Sequence, residues 1–206
     1  IIRVTPNNYK DMYLFQVKNP NAPKLSARLL WKIGKMRGIR AVYPILNLKT
    51  PCQVRIFLNK LGLTYKIIGD KLGIMGGYTI DAITQGAPYA FLWKDIKPQF
   101  RALWKNPNMT QSIPVIVPDT IIKAYNDGMA EANNAPRISP AALIGRSFTL
   151  RINYSSLNRS QNYEDIGVVI AGITNKISAL SIVLPIKAVK YFNKKYNHKN
   201  NEYLMA

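Results

Sequence analysis

The sequence is poor in the residues from which most enzymes and metal sites are built. Its 206 residues include one cysteine, Cys52, and one histidine, His198. A disulfide framework needs paired cysteines and structural zinc needs several Cys or His ligands, so both are excluded. Most imidazole chemistry goes with them. Acids are scarce too, with 10 Asp and Glu against 29 Lys and Arg, for a formal charge of +19. No apolar run approaches the roughly 18 residues of a membrane span. Residues 1–15 lack the apolar stretch of a signal peptide. Yet 48% of the chain is hydrophobic, which suffices for a core and is too much for a disordered basic tail.

The positive charge is uneven. Residues 1–60 carry 12 basic residues and a single acid, Asp11, for +11. Residues 61–145 come to +2 and residues 146–206 to +6. Two basic ends around a near-neutral middle suit a protein that meets phosphates with both ends. Lys outnumbers Arg by 19 to 10, and the cations sit in patterned, apolar-containing segments. That favours folded basic faces over an arginine-rich arm.

Spacing predicts a helix over 23–37, with Pro23 in its first turn and Gly38 at its stop. Leu25, Leu29, Ile33 and Met36 form its expected buried stripe. Lys24, Arg28, Lys32 and Lys35 run beside them, and Trp31 lies off the apolar stripe. Residues 39–48 read as extended, limited by Pro44. Thr50, Pro51 and Gln53 fit a capping box, which predicts a helix over 51–61 followed by a strand over 64–68. Five glycines punctuate 69–89, where residues 78–83 suit a strand. Asp95 is placed to cap a helix reaching Lys105, and Asp119 one reaching Ala132. Residues 113–117 read as a short apolar strand. Residues 133–140 form a polar loop and the best candidate for a weak boundary in an otherwise single domain.

Towards the C-terminus, Phe148, Leu150, Ile152 and Tyr154 alternate with polar residues, and 163–173 form an apolar partner. The pair reads as a hairpin whose tip carries Arg159. Pro185 then opens a helix to about residue 197, with Ile186, Val189 and Phe192 inward and Lys187, Lys190 and Lys194 on one side. Residues 198–206 read as a polar tail. The expected fold is α+β: a mixed sheet with several amphipathic basic helices and a C-terminal β-hairpin followed by a helix.

Catalytic constellations are not evident. Residues 69–77 are glycine-rich but contain no Gly-Lys-Ser/Thr, so they are no P-loop. Asp127 and Glu131 lie one helical turn apart, and Asp70 and Asp81 flank the glycines, but isolated surface acids are the simpler reading. Cys52 precedes an apolar run and reads as a small buried side chain. No enzyme activity, metal or cofactor is expected.

What is present is basic residues interleaved with aromatics, the pattern that offers point charges to phosphates and flat faces to unpaired bases. The candidate set is Lys24, Arg28, Trp31, Lys32, Lys35, Arg37 and Arg40 near the N-terminus. It continues with Lys97, Arg101, Trp104 and Lys105 in the middle, and Arg151, Arg159, Lys187, Lys190, Lys194 and Lys195 near the C-terminus. On this pattern the expected role is non-catalytic nucleic-acid binding, to RNA or DNA through the phosphate backbone, within a ribosome or other ribonucleoprotein and beside protein neighbours. A virion capsid protein lining its genome is an alternative, as is a single-strand binder of replication. The expected location is a reducing intracellular compartment, cytoplasm or organelle matrix, or a virion.

Overall fold

The computed structural model describes residues 9–12, 15–18, 25–57, 77–132, 136–177, 181–198 and 203–205. Among the described residues the first strands, β1 (Tyr9–Met12) and β2 (Phe15–Lys18), pair with each other in a sheet of their own. Helix α1 (Ala27–Gly34) follows, and then β3 (Ile45–Asn47), β4 (Cys52–Phe57), β5 (Gly77–Asp81) and β6 (Ile83–Ala87). The middle holds α2 (Tyr89–Leu92), a 3₁₀ turn (Pro98–Phe100) running into α3 (Arg101–Lys105), β7 (Ile113–Pro118) and α4 (Asp119–Ala124), which continues as a π-helical stretch (Tyr125–Ala130). The last part comprises α5 (Pro140–Leu143), β8 (Ser147–Ile152), β9 (Glu164–Thr174), β10 (Ser181–Pro185), α6 (Ile186–Lys195) and β11 (Tyr203–Met205). The chain is α+β. Among the described residues its mixed sheet has nine strands, in the order β11-β3-β6-β10-β7-β9-β8-β4-β5.

Two facts bend that sheet into a barrel. β3 and β4 are one long strand with a kink, and so are β5 and β6. The ladder runs on through the kink, because the Leu48 N–H donates to Thr84 and the Ala82 N–H to Cys52, both at 2.9 Å. One half of this ribbon pairs with β8 and the other with β10. β8, β9, β7 and β10 complete the circuit. The hydrogen-bonded ring therefore contains six strands, a size whose interior side chains fill.

The filling follows strand alternation. Val54, Ile113, Val115, Phe148, Leu150, Ile152, Ile166, Val168, Ile170, Ile182 and Leu184 point into one interior cluster. α6 adds Ala188, Val189 and Phe192 to it. A second cluster lies on the other side of the wall, where Leu92, Ile96 and Trp104 cover Ile45, Ala87, Ile116 and Val183. α6 is seated by Gly86, where an added Cβ would lie 2.9 Å from Val189. Asn193, fully buried, ties α6 to the kink: its Nδ2 donates to the Asn47 carbonyl at 2.9 Å and its Oδ1 accepts from the Lys49 N–H at 2.8 Å.

The structure corrects several local expectations. Residues 52–57 are strand, not helix. The Thr50 hydroxyl donates to Asn153 Oδ1 at 2.9 Å instead of capping a helix, and residues 52–55 form a cross-strand ladder with β8. The rest of the expected 51–61 helix, the 64–68 strand, Asp70, Pro23 and Lys24 lie outside the described residues. α1 begins at a Ser26 cap, whose Oγ accepts from the Leu29 N–H. Leu25 is thus not helical but bridges Tyr203, so the buried phase extrapolated from it fails. Leu30 faces inward, while Leu29 and Met36 are 42% and 62% exposed. Asp95 caps nothing; it pairs with Lys176 at 2.7 Å and accepts from the Thr174 hydroxyl at 3.2 Å. The expected polar tail contains β11, an antiparallel neighbour of β3. The expected 113–117 strand, the 148–173 hairpin and the helix opened by Pro185 are all present.

Candidate functional site

The most open of the basic clusters is on α1. Ser26 and the bend at Gly38, φ +89°, frame it. With Leu30 turned inward, Arg28, Lys32 and Lys35 occupy the opposite, outward face. Leu29 flanks that stripe on one side and Trp31, 65% exposed, on the other, while Met36, also exposed, lies in the turn just past the helix. The Lys35 ammonium lies 5.7 Å from the Trp31 ring centre. Arg37 and Arg40 continue the exposed positive surface. A groove of about 540 Å³ separates α1 from the edge of the sheet, with Trp31, Pro44 and Tyr203 in its walls.

The middle cluster divides. Trp104 is 2% exposed and belongs to the outer core, so it offers no stacking face. Its neighbour in the same basic–aromatic stretch, Trp93, is half-exposed, with Lys94 and Arg101 over its ring at 5.5 and 5.7 Å. Arg101 also donates to the Ile96 carbonyl. Lys105 lies over Tyr89 at 4.5 Å, and Lys187 donates to Asn106 at 2.9 Å. Lys105 and Lys187, distant in sequence, thus meet at a hollow of about 290 Å³ beside the start of α6. Lys97 is exposed before the 3₁₀ turn.

Near the C-terminus the cations are largely engaged within the fold. Arg151 donates through Nε and Nη2 to both oxygens of Asp165, at 2.7 and 2.8 Å, and Arg55 reaches the same carboxylate at 3.1 Å. The Arg151 guanidinium also stacks on Tyr163 and Tyr154, at 4.0 and 5.1 Å. The hydrogen bonds from Arg151 hold Asp165 below the usual carboxylate range. Lys195 pairs with Glu164 at 2.7 Å, which raises the lysine. Burial raises Tyr196 to about 12, aided by its bond to Glu164. Lys190 and Lys194 line the exposed side of α6. Arg159 is exposed in the hairpin loop next to Leu157, which is 97% exposed and was not among the sequence candidates. That loop is stitched to β5, since Ser156 donates its N–H and its hydroxyl to Asp81.

Cys52 is 4% exposed, and burial pushes its thiol to about 12. Among the described residues no group of three His, Cys, Asp or Glu side chains is placed to hold a metal ion. Asp127 pairs with Arg137 at 3.6 Å. No helix among the described residues is long and apolar enough to cross a membrane.

A family model described as a probable transporter periplasmic core domain, PCD-like, matches residues 86–204. That stretch runs from β6 into β11 and takes in most of the barrel wall and α6. The chain belongs to this family. No curated protein matches the sequence. Membership in the periplasmic core domain family overturns the expected role as a nucleic-acid-binding component of a ribosome, ribonucleoprotein, virion or replication complex. It overturns nucleic acid as the partner, and cytoplasm, organelle matrix or virion as the location. The physical reason is that an excess of positive charge selects for anions as a class and cannot identify one. Part of the supposed phosphate-binding set is also committed elsewhere, Arg151 and Lys195 to carboxylates and Trp104 to the core.

Proposed function

We propose that this chain works as a non-catalytic, extracytoplasmic module of a membrane transporter, acting through docking surfaces and not through chemistry. The family match over residues 86–204 carries the reading. The side chains give it support. Asp95, Asp119, Asp127, Glu164 and Asp165 each pair with a cation of the same fold, and the single thiol is sealed in the core. A rigid barrel with exposed basic and aromatic faces is suited to holding neighbours in register.

The test is fractionation of cells carrying the chain with a C-terminal tag, followed by purification from detergent-solubilised envelope. The expected result is an envelope location and recovery together with a membrane-embedded transport subunit. Recovery in the cytoplasmic fraction without such a subunit would overturn the reading.

A further inference from the structure

We infer that the outward face of α1 is a docking surface for anionic lipid headgroups. The inference goes beyond the transporter reading and does not need it, since it rests on residues 25–40, outside the family match.

The face combines the two attractions that hold a segment at a membrane surface, cations for anionic lipid and exposed apolar side chains beside them. Arg28 and Lys32 run down its centre with Lys35 at its C-cap, and Leu29 lines one flank and Trp31 the other. A helix that served only to cover the core would leave polar residues on those flanks. Here Leu29, Trp31 and Met36 are between 42% and 65% exposed. Indole is the side chain that most favours the headgroup level, where one edge is apolar and the other wet. The lysine and arginine stems can lie along the apolar flanks while their charged ends reach phosphates.

Charge complementarity names the occupant. No Asp or Glu occurs anywhere between residues 12 and 69, so nothing in the local sequence neutralises Arg28, Lys32, Lys35, Arg37 and Arg40. An acidic protein would have to place carboxylates to match that stripe. A surface of anionic lipid offers phosphates at every position and an apolar layer just beneath them. Each cation near such a surface strengthens binding by roughly fivefold.

The experiment uses the purified chain and two kinds of vesicle, pure phosphatidylcholine and a mixture with phosphatidylglycerol. Sedimentation should show binding to the mixed vesicles only, weakening as salt is raised. The Arg28→Gln, Lys32→Gln, Lys35→Gln triple variant should bind on the order of 100-fold more weakly. A control triple variant, Lys97→Gln, Arg159→Gln, Lys194→Gln, lowers the net charge equally and should stay within about threefold of wild type, because those cations lie off the docked face. Circular dichroism and the thermal midpoint confirm that both variants fold. Brominated lipid should quench Trp31, so that quenching is lost in Trp31→Phe and retained in Trp93→Phe. Equal binding to neutral vesicles would overturn the inference. So would equal losses in the two triple variants. Capture of an acidic protein through α1, without vesicle binding, would replace lipid by protein as the occupant and likewise overturn it.

Discussion

Asn193 is the side chain that ties α6 to the kink of the barrel wall. It lies on α6 with no exposed surface and straddles Leu48, bonding the Asn47 carbonyl on one side and the Lys49 N–H on the other. Those two backbone groups fall at the kink between β3 and β4, where the ribbon leaves one part of the ring for the other. Asn193→Ala removes both partners at once. A buried backbone group without a partner costs about 1–3 kcal/mol. Two such groups give about 2–6 kcal/mol, and the loss of side-chain contacts offsets none of it. For a chain of this size each kcal/mol lowers the thermal midpoint by about 2–4 °C. Urea unfolding followed by tryptophan emission and far-UV circular dichroism measures the loss. Asn193→Asp provides a second reading. It keeps the acceptor for Lys49 but presents an oxygen to the Asn47 carbonyl and buries a charge, so it should destabilise at least as much as alanine at neutral pH. A cost below about 1 kcal/mol for Asn193→Ala, with an unchanged denaturant slope, would refute the reasoning and show that the kink is held by its own ladder.

Other substitutions test other joints. Gly172→Ala should destabilise by about 1–3 kcal/mol in urea unfolding, because the new methyl group meets the Asp95 backbone, whose carbonyl carbon lies 2.9 Å away. Gly128→Ala, with nothing within 4 Å, should be neutral or slightly stabilising in the same assay. Cys52 should resist a thiol reagent at pH 8 in the native state and react fully in denaturant, since burial holds its pKa at about 12. Fast native labelling would show that the barrel opens. The Asp165 carboxyl is depressed by Arg151, so its contribution is present above the usual carboxylate pKa of about 3.9 and is lost as pH falls through the lower folded value. Asp81 adds to the loss in that same window: burial raises it, but hydrogen bonds from Ser156 and Gln53 outweigh burial and lower it. The thermal midpoint of wild type should therefore decline below about pH 4, and that of Asp165→Asn more shallowly. The side chain is 36% exposed, and water screening keeps the difference small.

The readable parts of the fold are those whose signal is local. β8 alternates strictly and β9 does so as far as Ile170, and the hairpin between them follows from adjacency. Pro118 and Pro185 each end a buried strand and open a helix, which a fixed φ allows. The failures have one origin. Thr50, Pro51 and Gln53 satisfy a helix-start pattern, yet Cys52 and Val54 against Gln53 and Arg55 also satisfy strand alternation. Pairing with Ile152 and Leu150, about a hundred residues away, decides between them. β11 is decided the same way, by the open edge of β3. A window of ten residues carries neither partner, so ring closure is invisible at that scale.

The candidate site divides along a similar line, and here the sequence holds more than its composition shows. Arg28 and Arg151 look alike in composition, each an arginine near an aromatic in a basic region. They differ in their distance from acids. Arg151 stands directly across the hairpin from Asp165, a register that follows once the two strands are aligned, and opposite charges facing across a ladder attract. Arg28 lies in a stretch with no acid between residues 12 and 69, so neither a helical turn nor a short hairpin can bring it one. A cation with an acid at its cross-strand position is the one to assign to the fold. A cation without one, on a helix that also leaves a tryptophan in water, is the one to assign to a partner. The spacing of acids along the chain thus suffices to set Arg151 aside and to keep α1, and the ion pair at Asp165 and the open face of α1 make the same division in three dimensions.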